Sequence, residues 1–260
     1  MLIAQISDSH YLVPGQCLAG RFETSKAFEH LIESLTSQPV APDLILFSGD
    51  LGEDATREEY ANIAGGLRSL DIPVLAVPGN HDLRAPMWEE LPDMLGRTDD
   101  GHMCVSDTRF PLAIIGLDTL VEGAPHGELC PARIAWLEAR LDELKGKPVL
   151  IFMHHPPIRT GHHFMDGIGL LGGGTDFERL VAGHGGVQAI LCGHMHRGIE
   201  GTFAGVPVRV SPSASHQIAF DLREGEPYRF NDEPPQYMMH LWQPGQGLIS
   251  HTVPVTSNVV

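Results

Sequence analysis

Five short polar clusters hold most of the side chains able to do chemistry: Asp8-Ser9-His10, Gly49-Asp50, Gly79-Asn80-His81-Asp82, His154-His155-Pro156-Pro157 and Gly193-His194-Met195-His196. Each follows an apolar run of strand length, at residues 2–7, 44–48, 74–77, 149–153 and 189–192. In α/β sheets, ligands bind outside the carboxyl ends of strands. Clusters spread over about 190 residues of sequence can therefore meet at one point.

The residue types are those of a metal site. Every candidate ligand is an imidazole, a carboxylate or a carboxamide, and none is a thiolate. Such donors suit Fe, Mn, Zn or Co. One aspartate can bridge two ions, because each of its oxygens can hold one of them. Two ions about 3.5–4 Å apart clamp a phosphoryl group and lower the pKa of a water between them. Two divalent ions bring four positive charges, and Asp8 and Asp50 cancel two. The remainder suits a hydroxide and an anionic ester.

The elements that must position these clusters alternate along the first 195 residues. Strand-like runs, with a further one at 112–117, are separated by helical periodicities. Phe28, Leu31, Ile32 and Leu35 are spaced i, i+3, i+4, i+7, as are Tyr60, Ile63, Ala64 and Leu67. Thr56 and Glu59 form a capping-box pattern. Pro131 suits the first turn of a helix carrying Ile134, Leu137, Leu141 and Leu144. A weaker helix is expected at 176–182. After Met195 the pattern turns to short runs at 206–210, 237–242 and 248–253, read as antiparallel strands, with no helix expected. Residues 161–175 hold six glycines and read as a mobile loop, and residues 224–235 read as a loop or extended arm. With no internal repeat and no linker, one domain spanning 1–260 is expected, with an arm or cap within 216–240.

Charge and composition narrow the partners. Seventeen Lys and Arg against 33 Asp and Glu give a formal −16. That field repels nucleic acid polymers and anionic membranes, so a phosphate ester needs a local cationic spot. No apolar run is long enough to span a bilayer. The N-terminal residues lack a basic segment and a small-residue cleavage site, so no signal peptide is expected. The scattered Cys17, Cys104, Cys130 and Cys192 read as free thiols, which points to a cytoplasmic protein.

The order D-x-H, G-D, G-N-H-D, H-H-P-P, G-H-x-H over residues 4–196 resembles the calcineurin-like metallophosphoesterases. Phe152–Pro157, Ser215-His216-Gln217, Gly127-Glu128-Leu129 with Trp136-Leu137, and Glu233-Pro234-Pro235 resemble one branch of them. That branch contains bacterial glycerophosphodiesterases and class III cyclic-nucleotide phosphodiesterases. The resemblance implies an α/β fold, a four-layer α/β/β/α sandwich with mixed sheets. It implies two divalent or Fe-type ions and hydrolysis of small phosphodiesters, cyclic nucleotides or glycerophosphodiesters, by a metal-bridging hydroxide. A homo-oligomer is expected by the same analogy, with the 224–235 arm on a partner subunit.

Carried over by position, the resemblance gives one metal Asp8, His10, Asp50 and His196, and the other Asp50, Asn80, His154 and His194. Asp50 is the bridge, and the neutral Asn80 makes the second site weaker. In H-H-P-P the first histidine is the ligand, so His155 is structural. His81 faces the phosphate as hydrogen-bond donor or general acid, and joins Asp50 and Asn80 in the chemistry. Asn80, His81, His196 and His216 are expected at the substrate. Asp82 either orients a histidine of the site or caps the next helix, and Asp118 does similar orienting work.

The plainer readings set the alternatives. His162, His163, Met165 and Asp166 either shape the pocket or belong to an ordinary loop. His30, His102, His126, His184, His240 and His251 read as ordinary surface or half-buried histidines. A phosphomonoesterase would want arginine or lysine near the site; Arg21, Arg84, Arg159 and Arg197 are the candidates. A non-catalytic scaffold of this fold would be expected to lack some ligands, and here every motif position is filled.

Overall fold

The computed structural model describes residues 1–256. Two mixed sheets face each other. The first has five strands, β1 (Leu2–Ile6), β2 (Leu44–Phe47), β3 (Val74–Ala76), β12 (Gln236–Gln243) and β13 (Gly247–Pro254), in the order β13-β12-β1-β2-β3. The second has six: β4 (Val105–Asp107), β5 (Ala113–Leu117), β7 (Val149–Met153), β9 (Val187–Cys192), β10 (Ile199–Phe203) and β11 (Val206–Val210). Their order is β10-β11-β9-β7-β5-β4. β6 (Gly127–Glu128) and β8 (Leu170–Gly172) form a separate parallel pair.

Three apolar layers hold the stack together. Ile3, Leu44 and Leu46 of the first sheet meet Ile114, Leu150 and Phe152 of the second, all fully buried. Each such side chain contributes about 1.5–3 kcal/mol over its exposed state. Outside the first sheet lie α1 (Thr24–Thr36), α2 (Arg57–Arg68) and α3 (Arg84–Glu90), sealed by Phe28, Leu31, Tyr60, Ile63 and Met87. Outside the second lie α4 (Pro131–Glu143) and α6 (Gly174–His184), sealed by Ile134, Leu137, Phe177 and Val181. The result is the expected four-layer α/β/β/α sandwich. A strand between two apolar layers must be apolar on both faces, which is why these strands read as continuous hydrophobic runs.

The helix starts follow the sequence signals. Thr56 and Glu59 form a capping box, with Glu59 N donating to Thr56 Oγ1 and Thr56 N to Glu59 Oε2. Pro131 opens α4. Other features differ from expectation. Residues 161–175 are not a plain loop: they hold the short helix α5 (His163–Asp166), β8 and the start of α6. Gly173 takes φ 79° at the N-cap of α6, so its glycine serves a turn. Val206–Val210 is antiparallel to β10 but parallel to β9. His240 is fully buried rather than superficial, between Gln5 and Ser250. Helix α3 was hidden by Pro86, which is tolerated because N–H groups of a first turn lack intrahelical acceptors.

Strand direction positions the site. β1, β2 and β3 run parallel, as do β5, β7 and β9. Their carboxyl ends therefore open at common sheet edges, and the polar clusters begin there.

Candidate metal centre

The five clusters converge. Nε2 of His10 lies 3.0 Å from Nε2 of His196 and 3.5 Å from Oδ2 of Asp50. Nε2 of His196 lies 3.5 Å from Oδ1 of Asp8. On the other side of Asp50, Nε2 of His154 is 3.3 Å from Asp50 Oδ2 and 3.2 Å from Asn80 Oδ1, which is itself 3.0 Å from Nδ1 of His194. Two donor sets thus share Asp50, and all of these side chains except the half-exposed Asn80 are buried.

The hydrogen bonds behind these atoms reveal what they lack. Nδ1 of His10 is 2.7 Å from a Glu53 carboxylate oxygen, and Nδ1 of His196 is 2.9 Å from the carbonyl of His216. Both acceptors require N–H on Nδ1. At 3.0 Å the two facing Nε2 atoms cannot both carry a proton, so lone-pair density points into the gap between them. His154 also donates Nδ1–H to the carbonyl of Ser48 at 2.8 Å, so its Nε2, facing two oxygens, holds either a proton, which Asp50 favours against burial by raising the pKa to about 9, or a metal ion. Lone pairs converging in a buried space repel unless a cation lies among them. The donor set and its orientation fit metal ions.

Backbone strain holds the donors in place. Asp8, His10, Asp50, His194 and His196 have φ of 55°, 42°, 51°, 72° and 49°. For non-glycine residues each such conformation costs about 1–3 kcal/mol, and such strain clusters at functional sites. The turns after the strands are tied to one another by Asp8 N to Gly49 O at 3.0 Å and Ser213 Oγ to Asp8 O at 2.7 Å. Gly193 is required by close approach, because a Cβ there would strike Ser7 and Asp8.

Charge pairing is strong throughout. Burial opposes ionisation of Asp50, but the neighbouring His154 and His81 hold its carboxyl well below the usual range. Burial also opposes the His81 imidazolium, yet Asp50 and Glu53 outweigh it and raise its pKa to about 10. His196 moves the other way, down to about 4, because burial outweighs the attraction of Asp8. Cations held on Asp50 would cancel much of the field that favours protonated rings, so metal binding here releases protons.

His81 reaches the site at its rim. Its side chain is 37% exposed, its backbone N–H donates to Asp50 Oδ1 at 2.8 Å, and its ring meets that of His10 edge to face. The orienting carboxylate on His81 is Glu53, at 3.1 Å from Nδ1, and not Asp82. Glu53 had no place in the motif reading, although its position three residues after Asp50 is a usable signal. Asp82 accepts from backbone N–H of Gly79 at 2.8 Å and Leu51 at 3.2 Å, and from Tyr60 at 3.0 Å. It clamps the Asp50 and Asn80 loops to each other rather than orienting a histidine or capping α3, whose N-cap is Leu83. Asp118 lies elsewhere, bound by Arg84 at 2.7 and 2.9 Å and by Arg133, which makes it a structural ion cluster.

The remaining candidates divide. His155 spends Nδ1 on Thr119 Oγ1 and Nε2 on the Pro125 carbonyl, leaving it no free donor atom for the centre. His216 stacks between His196 and Phe22, and lines the pocket. Met165 lines the pocket too, whereas Asp166 holds Thr160 and Gly161, and His162 caps Met165 N. The cavity above the centre measures about 240 Å³. Its far side is apolar, formed by Phe164, Met165, Ile168, Ile218, Tyr228 and Phe230. Among the described residues, neither arginine nor lysine lines it. Arg21 pairs with Asp232, Arg84 with Asp118, and Arg197 with Glu233.

Comparison with known proteins agrees with this architecture. Residues 1–198 match the family model described as calcineurin-like phosphoesterase. A probable glycerophosphodiester phosphodiesterase GpdQ of Arcobacter nitrofigilis is 34% identical over 252 residues, covering 97% of this chain and 92% of its own. The 3′,5′-cyclic adenosine monophosphate phosphodiesterase CpdA of Escherichia coli is 29% identical over 217 residues, covering 83% and 77%. Among solved structures, a dimetal phosphatase from Danio rerio superposes with a TM-score of 0.67 at 14% identity, covering 98% of this chain and 99% of that one.

Proposed function

The chain belongs to the calcineurin-like phosphoesterase family, and from that premise we propose that it is a binuclear metal-dependent phosphodiesterase acting on small phosphodiesters. The observation that carries the reading is the pair of inward-facing donor sets sharing Asp50 beneath a cavity of about 240 Å³. Asp8, His10, Asp50 and His196 would hold one ion, and Asp50, Asn80, His154 and His194 the other. When bound, the ions supply an activated water and the positive charge that an anionic ester needs. Fe, Mn, Zn and Co all suit the donor set. 3′,5′-Cyclic nucleotides and glycerophosphodiesters are the substrate classes, by likeness to the relatives named above.

The chain's own groups do the rest. His81 stands at the rim, within reach of a phosphoryl oxygen or a leaving alcohol, and Glu53 fixes its Nδ1 so that Nε2 faces the cavity. As an imidazolium it donates a proton to the departing alkoxide. Asn80 and His196 flank the phosphoryl position, and His216 closes its far side. The cavity's size and the acidic surface exclude duplex nucleic acid. The lack of lining Arg and Lys favours a monoanionic diester over a dianionic monoester.

No helix among the described residues is long and apolar enough to cross a membrane. The four free thiols fit a reducing cytoplasm. Self-association completes the reading, supported by exposed Phe220 and Leu222 on the arm within 216–240; sedimentation gives the test. The function itself is tested with bis(p-nitrophenyl) phosphate and added Mn²⁺. Turnover exceeding that of p-nitrophenyl phosphate supports the diesterase. Faster monoester turnover makes it a phosphatase, and no turnover by metal-loaded protein defeats the enzyme reading.

A further inference from the structure

The apolar side of the cavity is organised as a continuous aromatic path. From His216, beside the metal donors, ring centroids step to Phe230 at 4.9 Å, Tyr228 at 5.5 Å and Phe164 at 5.3 Å. The path begins buried and ends at the mouth, where Tyr228 and Phe164 are 39% and 40% exposed. Two segments far apart in sequence build it: α5 supplies Phe164 and Met165, and the arm supplies Tyr228 and Phe230. The isolated bridge between Ile218 and Phe230 holds the arm against the cavity. Two partly exposed aromatic rings at a cavity mouth are costly in water, and a ligand that covers them recovers that cost.

The polar inventory points the same way. Apart from the proposed metal donors, the polar side chains lining this cavity are Glu53, His81, His216 and the Tyr228 hydroxyl. Glu53 is already committed to His10 and His81. A glycerol group brings two hydroxyls that would lose water here without a full set of partners, which opposes its binding. A flat ring needs no such partners on its faces, and its polar edge can remain in solvent at the mouth.

We propose that Phe164, Tyr228 and Phe230 form an ester-group subsite that takes a flat aromatic ring, aryl or nucleobase-like, in preference to a polyol. The proposal rests on the phosphodiesterase reading above and adds the chemical class of the group bound beside the phosphoryl centre.

The test separates the two ideas by reading binding without turnover. Methyl(phenyl)phosphinate and dimethylphosphinate are monoanionic diester mimics whose substituents are held only by P–C bonds, so neither can be hydrolysed, and they differ by one ring. Calorimetric titration of the Mn²⁺-loaded protein is expected to give about tenfold tighter binding of the phenyl compound, in line with aromatic contact energies. In the double variant Phe164→Ala, Tyr228→Ala the preference should fall to within about twofold. Both residues are partly exposed, and circular dichroism together with metal content checks that the variant is folded. Equal affinities in the wild type overturn the subsite, as does a phenyl preference that survives the substitutions. So does failure of both compounds to bind while bis(p-nitrophenyl) phosphate is still hydrolysed. Absence of diester turnover by the metal-loaded wild type overturns the underlying reading instead.

Discussion

One carboxylate oxygen of Glu53 stands 2.7 Å from Nδ1 of His10 and 3.1 Å from Nδ1 of His81. A proposed metal donor and the proposed proton donor thus share one acceptor. On His10 it keeps N–H on Nδ1 and turns the Nε2 lone pair inward. On His81 it favours the charged ring. Burial works against the Glu53 carboxylate, but its bonds from His10 and His81 prevail and lower its pKa to about 2.

Removing that oxygen should therefore damage two functions at once. Glu53→Ala is expected to weaken the tighter metal by about 10–100-fold, the usual cost of losing an orienting partner behind a ligand histidine. Diester turnover should also fall when metal is saturating, because His81 loses its partner. Metal content by atomic absorption, with kcat at saturating Mn²⁺, separates these effects. Unchanged affinity and unchanged kcat together would reduce Glu53 to a bystander.

His81 itself should show the complementary split. His81→Ala is expected to lower kcat by about 10²–10⁴, the range for a general acid, while both metals remain. Metal analysis alongside steady-state kinetics gives the answer. Loss of an ion would instead make His81 a ligand, against its rim position and its 37% exposure.

The two proposed metal positions are unequal. One draws on the carboxylates of Asp8 and Asp50, the other on Asp50 and the neutral carbonyl of Asn80. Asn80→Ala should lose the second ion first and leave the first in place. Isothermal titration should then display the tight site alone, where the wild type has a tight site and a weaker one. Two unaltered sites in the variant would refute the division of ligands.

How much of this was legible in the sequence follows from what each feature depends on. The five clusters were legible because a parallel strand must end before its ligand-bearing turn begins, so the apolar run and polar cluster are adjacent in the chain. The sandwich was implied by the family resemblance of the five-cluster order, and the β-rich pattern after Met195 agreed with it. Glu53 was not legible as an orienting group, since its partners His10 and His81 meet it only in three dimensions. The same holds for the aromatic path, whose Phe164 and Tyr228 lie in separate segments. Residues 161–175 read as a loop because glycine lowers helix and strand propensity, yet α5 is capped by the His162 side chain and Gly173 supplies a left-handed turn. Asp82 and Asp118 looked alike as carboxylates after strands; only their neighbours, backbone amides for one and arginines for the other, distinguish them.

His240 gives a prediction independent of the metal centre. Gln5 spends both amide hydrogens, on Ser48 Oγ at 3.0 Å and the Cys192 carbonyl at 2.8 Å. Its carbonyl oxygen is thus the atom 3.0 Å from His240 Nε2, so Nε2 carries the proton and Nδ1 accepts from the Ser250 hydroxyl at 2.7 Å. The ring is held neutral, and burial, aided by the positive charge of Arg209, lowers its pKa to about 3. Above about pH 6.5, the ordinary histidine value, neither folded nor unfolded chain protonates this ring, and it leaves stability unchanged with pH. Between 6.5 and 3 the unfolded chain takes up a proton that the folded one refuses, so stability falls as pH falls, by up to about 1.4 kcal/mol per pH unit. From pH 7 to pH 5 this single group should cost about 2 kcal/mol. His240→Gln removes the titration, so its urea-unfolding free energy should decline less steeply with acid than that of the wild type, by about that amount. Comparing the two proteins at each pH cancels the contribution of the other buried histidines. Parallel pH profiles would mean that the folded interior accommodates the imidazolium at this strand after all.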